Sequence, residues 1–139
     1  STSTSGEYFL FENRSPGGYD EGLYYSINWG STDYVAGSST YFTGGIAIWH
    51  VKDILSTCSD NNTCETQSPK LLDLEEANDA DLDSASSNGR TTHLFYSGNS
   101  ATFDNSSTPN SKLYDNSSSG ISATSISAAG DSMTLTISK

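Results

Sequence analysis

Residues 44–53 read "GGIAIWHVKD". Two glycines open the stretch, a lysine and an aspartate close it, and residues 46–51 between them form the most clearly buried strand of the chain. His50 sits inside that strand, between Trp49 and Val51. A histidine so placed is a catalytic group, a metal ligand, or a strand residue with a hydrogen-bond partner. The third is the reading the pattern favours, because neither catalytic reading finds its usual companions in the sequence. A zinc peptidase would carry H-E-x-x-H, with two ligands one helical turn apart. A serine hydrolase would place its nucleophile in a G-x-S-x-G turn. Both motifs are absent, and His93 is the one other histidine.

Toward the N-terminus, "EYFLFEN" at 7–13 is aromatic, short and stopped by "SPGG". That is a strand, and apolar groups on both of its faces predict a central strand covered on each side. Residues 15–45 are loop-like, rich in tyrosine and glycine, with room for a hairpin. Toward the C-terminus, "KLLDLEEAN" at 70–78 starts as a strand and turns acidic, and "THLFY" at 92–96 is a further apolar run. Residues 97–120 read as polar loop. At the end, Met133, Leu135 and Ile137 alternate with Thr134 and Thr136, the period-two signature of a half-buried strand. "ISATSIS" and "MTLTIS" flank "AAGD", which predicts a terminal hairpin with a two-residue turn at Gly130–Asp131. The expected fold is all-β: an antiparallel, sandwich-like single domain over 7–139, with long polar loops and a frayed remnant at 1–6.

The chain has 139 residues, of which 33% are apolar, so its core is thin. Seventeen acids against six bases give a formal charge of −11. Such a surface repels a nucleic-acid backbone and attracts cations. No apolar run approaches the ~20 residues that span a bilayer. Cys58 and Cys64 enclose five residues in "CSDNNTC", a spacing that suits a disulfide and an oxidising compartment. The abrupt opening "STSTSGEYF" suggests a piece of a longer secreted protein.

The densest charge lies in Asp73, Glu75, Glu76, Asp79, Asp81 and Asp83. Clustered carboxylates on a loop are what Ca²⁺ requires, and Asp79, Asp81 and Asp83 have the spacing that opens an EF-hand loop. The match then fails, since Ser84 stands where glycine is needed and Arg90 where the closing glutamate belongs. A looser calcium site and a merely solvated acidic loop both remain open. Glu7 and Glu12 are five residues apart on one strand and so lie on opposite faces, which excludes a simple carboxylate pair. Glu12 with Arg14 reads as a structural ion pair. Sequons at Asn13, Asn61, Asn105 and Asn116 are expected by chance in a chain so rich in asparagine and serine.

Five blocks follow one another in a familiar order: "EYFLFENR", "GYDEGL", "GGIAIWHV", "KLLDLEEAN", and "TFDNSSTPNSKLYDNSSSGISATSISAAGDSMTLTI". Together they resemble the M6 family of secreted metallopeptidases, the group of immune inhibitor A. The resemblance runs from Glu7 to Ile137. It implies an exported zinc peptidase whose H-E-x-x-H lies upstream of residue 1, and makes this chain the β-rich portion that follows. The zinc helix is missing here, and the excursion at 24–43 is longer than the family's usual link. The implied role is therefore non-catalytic: a domain that docks on the upstream peptidase, stabilises it, with calcium as the cofactor where the acidic run binds one, and shapes access for protein substrates. Glu12 or His50 would be the residues to reach the zinc of such a parent. The competing reading is a stand-alone extracellular β-sandwich that binds glycans or surface proteins, with Trp29 and the tyrosines of 19–43 stacking on sugar rings.

Overall fold

The computed structural model describes residues 6–17, 20, 43–52, 70–78, 82 and 90–139. The described elements are five strands and one short 3-10 turn. Strands β1 (Glu7–Arg14), β2 (Gly45–Lys52) and β3 (Leu72–Leu74) form an antiparallel sheet in the order β1-β2-β3. Strands β4 (Ser122–Thr124) and β5 (Thr136–Ser138) form a two-stranded antiparallel ribbon. The fold is β-dominated and antiparallel, as the alternation predicts. The layer opposite the sheet is a ribbon rather than a second full sheet among the described residues.

β2 is the centre of the sheet because its apolar run satisfies both faces at once. Ile46 and Ile48 point into the main core with Phe9 and Phe11 of β1. Ala47 and Trp49 point the other way and pack with Leu74 and Leu94. The main core is completed by Ala77, Phe95, Phe103, Ala123 and Ile126, with Met133 and Leu135 of the terminal hairpin against it. Phe95 and Phe103 are fully buried and meet edge to face, their ring centroids 5.6 Å apart.

Among the described residues β1 lies at the edge of this sheet, not in the central, doubly covered place that its composition predicts. Its side chains alternate: Glu7, Phe9 and Phe11 turn inward, while Tyr8 and Leu10 face out at 43% and 49% exposure. Both faces are apolar because the outward face is itself an apolar surface. The terminal hairpin is present, but the two-residue turn is not. The innermost backbone bond joins Ser127 N–H to Thr134 O, which leaves a wider loop, and Gly130 lies outside the left-handed region. Between the Thr124–Thr136 pair and that bond, Ser125 and Ile126 oppose Leu135 alone. Ser125 takes φ 54°, the left-handed conformation that a bulge of this kind uses. The run at 92–96 likewise begins as a 3-10 turn, Thr91–His93, and only then extends to pair Phe95 with Ile46.

Glycine is required where β2 begins. Gly44 has φ +90°, and a Cβ there would lie 2.5 Å from the Arg14 carbonyl oxygen. A Cβ on Gly45 would meet the Leu94 Cβ at 2.6 Å. Both ends of β1 are tied to the opposite layer. At its end, Asn13 Nδ2 donates to the Gly130 and Asp131 carbonyls, at 3.3 and 3.1 Å. At its start, Glu7 accepts the N–H of Tyr114 at 2.7 Å.

A buried glutamate–histidine–glutamate cluster as the candidate functional site

Antiparallel pairing places Glu7 opposite Lys52 and Phe9 opposite His50. Glu7, His50 and Lys52 therefore share the inner face at one end of the sheet. The chain leaving β3 adds Glu75, whose N–H donates to the Ile48 carbonyl and so holds it beside β2. Residues 111–114 close over the group from the other layer. Ser111 is fully buried there, its Oγ donating to the Ile121 carbonyl at 2.6 Å.

His50 is 2% exposed, and each ring nitrogen faces a carboxylate. Nε2 lies 3.2 Å from Glu7 Oε1, and Nδ1 lies 3.1 Å from Glu75 Oε1. Only the doubly protonated ring donates from both nitrogens. The ring stacks on Tyr114 with centroids 4.1 Å apart and planes within 5°, and Phe9 lies on its flank at 4.4 Å. Glu7 is the hub. Its side chain is 3% exposed, Oε1 takes the Tyr114 N–H, and Oε2 takes Lys52 Nζ at 2.9 Å. Lys52 also lies over the Tyr114 ring, 5.6 Å from its centroid. The cluster thus sets the imidazole and the Lys52 ammonium against two carboxylates, so each buried acid has a hydrogen-bonded partner.

Burial pushes the Glu7 carboxyl up, but the Tyr114 N–H bond, the Lys52 ammonium and the His50 bond outweigh it and hold the group below its ordinary 4.5. Glu7 is thus a carboxylate under most conditions, already fully engaged. Both imidazole nitrogens are engaged by carboxylates, and the cluster joins four chain segments.

Glu12 lies on the opposite face of the sheet. It pairs with Arg14 Nη2 at 2.7 Å and accepts Trp49 Nε1–H at 3.2 Å, while Arg14 Nη1 reaches Asp20 at 2.8 Å. Glu12 and His50 therefore do not meet. His93 is also buried, and its Nδ1 accepts the Arg90 N–H at 3.1 Å, which puts the ring proton on Nε2. Asp79, Asp81 and Asp83, and the Cys58–Cys64 pair, lie outside the described residues. Among the described residues no group of three or more His, Cys, Asp or Glu side chains is placed to hold a metal ion. No described helix is long and apolar enough to cross a membrane.

No motif or spacing announces the Glu7–His50–Glu75 cluster, whose members lie 43 and 25 residues apart. One signal was present. A buried histidine in a strand needs partners for two nitrogens, and acids near the start of one neighbouring strand and the end of another can supply them. No protein-family model, curated protein or solved structure matches the chain.

Proposed function

We propose that this chain is the non-catalytic β companion of an M6-like zinc metallopeptidase, exported with it, stabilising the enzyme and shaping substrate access. One observation carries the reading. Four of the segments that resemble the M6 family meet at a single point: Glu7 from "EYFLFENR", His50 from "IAIWHV", Glu75 from "LDLEEAN" and Tyr114 from "SKLYDN". Blocks far apart in the chain supply one another's hydrogen-bond partners, so their order and content answer to one three-dimensional requirement. The engagement of both His50 nitrogens supports a structural rather than a catalytic part for that block.

The test compares two polypeptides. One is the 139-residue chain; the other adds the segment that precedes it in its reading frame. The longer polypeptide is expected to hydrolyse peptides in a zinc-dependent way, and the chain alone to leave them intact. Peptide hydrolysis by the chain alone would overturn the proposal. So would a preceding segment without H-E-x-x-H.

A further inference from the structure

One five-residue pattern occurs twice, as "FDNSS" at 103–107 and "YDNSS" at 114–118, and each copy holds a sequon, at Asn105 and at Asn116. In both copies the aromatic residue is anchored in the fold and the asparagine is exposed. Phe103 is fully buried in the main core, and Tyr114 stacks on His50 with its N–H on Glu7. Asn105 and Asn116 lie at the surface. The serine hydroxyl that completes each sequon separates the two copies. Ser107 Oγ is held inside its own turn. It donates to the Pro109 and Asp104 carbonyls at 2.7 and 3.1 Å and accepts the Asp104 N–H at 2.8 Å. Ser118 is exposed, and its Oγ accepts the Gly120 N–H at 3.2 Å, a role that keeps the hydroxyl hydrogen available.

Asn116 also stands at a tip. Its N–H donates to the Leu113 carbonyl at 2.8 Å, the Leu113 N–H donates to the Ser117 carbonyl at 3.0 Å, and Lys112 pairs with Ser118. Residues 114–116 are therefore the three-residue loop of a tight hairpin, and Asn116 takes its left-handed last position at φ 65°. The sequon at Asn13 is closed. Its Nδ2 donates to the Gly130 and Asp131 carbonyls, and Ser15 Oγ bonds the Asp131 carboxylate. A sugar would replace one of the two amide hydrogens those bonds use and set bulk between β1 and the terminal hairpin. Asn61 lies outside the described residues.

We propose that Asn116 is an N-glycosylation site, and that Asn13 and Asn105 are not. The donor is a lipid-linked oligosaccharide diphosphate. The Asn116 amide nitrogen bonds the anomeric carbon of the first sugar and gives up one proton. The lipid diphosphate leaves with the electron pair of the broken C–O bond. The fold keeps all its described contacts, since the glycan extends from a hairpin tip whose base is fixed by Tyr114 on Glu7 and His50. The inference rests on the export in the function proposed above and is independent of the peptidase.

Secretion of the chain from a eukaryotic host, behind a signal peptide, tests this. Enzymatic removal of N-glycans in heavy-oxygen water turns each glycosylated asparagine into a labelled aspartate, and mass spectrometry reads occupancy peptide by peptide. Asn116 is expected to be occupied at least tenfold more than Asn13 or Asn105. Ser118→Ala is expected to lower that occupancy at least tenfold, and Ser118→Thr, which keeps the hydroxyl, to retain it. Secreted chain that melts cooperatively and carries no glycan at Asn116 would overturn the inference. So would equal occupancy of Asn105 and Asn116, or a glycan on Asn13 in the folded chain. None of these outcomes bears on the peptidase reading, which stands or falls on zinc-dependent hydrolysis by the longer polypeptide.

Discussion

Replacing Glu7 by glutamine tests the central contact of the molecule. The substitution keeps the shape and the oxygen that accepts the Tyr114 N–H, and removes the charge that Lys52 and His50 face. Breaking a buried ion pair from one side costs about 3–5 kcal/mol, and a hydrogen bond to a charged group contributes about 1.5–3 kcal/mol. Lys52 is 24% exposed and can turn part of its charge to water, which lowers the cost. The expected loss is about 2–4 kcal/mol, or about 8–15 °C in melting temperature for a domain of this size. Urea unfolding at neutral pH, read as a two-state transition, measures it. The pH dependence supplies a second arm. The folded-state pKa of Glu7 is held below its ordinary 4.5, so its stabilisation is present above that pH and is lost as pH falls through the folded value. Glutamine does not titrate. The gap between the two proteins is therefore constant between about pH 5 and 7 and narrows on further acidification. A loss below about 1 kcal/mol would refute the reasoning, since that is the size of an ordinary neutral hydrogen bond. A gap that stays constant well below pH 4.5 would refute the assignment of the charge.

Phe103→Ala removes a fully buried ring at the junction of the two layers and is expected to cost about 3–5 kcal/mol by urea unfolding. Gly44→Ala forces a Cβ against the Arg14 carbonyl at φ +90° and is expected to cost about 1–3 kcal/mol in the same assay, with the pairing of β1 to β2 the first hydrogen-exchange protection to weaken. Calcium added to chelator-treated protein decides between the two readings of the acidic run: a rise in melting temperature that Asp79→Asn and Asp81→Asn together abolish assigns a site, and a flat response assigns a solvated loop.

The parts of the fold legible in sequence are those governed by short-range period. Residues 46–51 announce a buried strand because every position is apolar except a single histidine. The alternation of Met133, Leu135 and Ile137 holds for the first two, which pack on the core, and fails at Ile137, which is 52% exposed because β5 pairs only with the short β4 beyond the edge of that core. "EYFLFEN" announces a strand but misstates its place. Apolar residues on both faces normally mean cover on both faces, and here Tyr8 and Leu10 remain largely exposed. The Gly130–Asp131 turn fails for a local reason. A bulge at Ser125 shifts the register of the hairpin, and a tight turn no longer closes it. The polar cluster was illegible because no spacing rule relates residues 7, 50, 75 and 114. Only the register of β1 on β2 brings the first two together, and register depends on the whole sheet. That Glu7 and Glu12 part to opposite faces was legible, since it needs nothing beyond the two-residue repeat of a strand.

The two faces of the sheet carry opposite chemistries in an unusual order. At the end where Glu7 and Lys52 lie, charge is on the inside, bound into a compensated cluster beneath Tyr114. On the outside at the same end stand Tyr8 and Leu72, with Val51 between them. A domain that works alone gains stability from the reverse arrangement, because exposed charge keeps its hydration and buried apolar area leaves water. The inner cluster avoids a penalty only by being complete: each carboxylate has a partner, and both nitrogens of the ring do. On the outer face the middle strand is covered, with Ala47 and Val51 buried, and the water-exposed apolar groups are those of the flanking strands, Tyr8, Leu10 and Leu72. The cost of outward apolar area thus falls on β1 and β3, whereas the polar groups of the inner cluster are matched partner for partner.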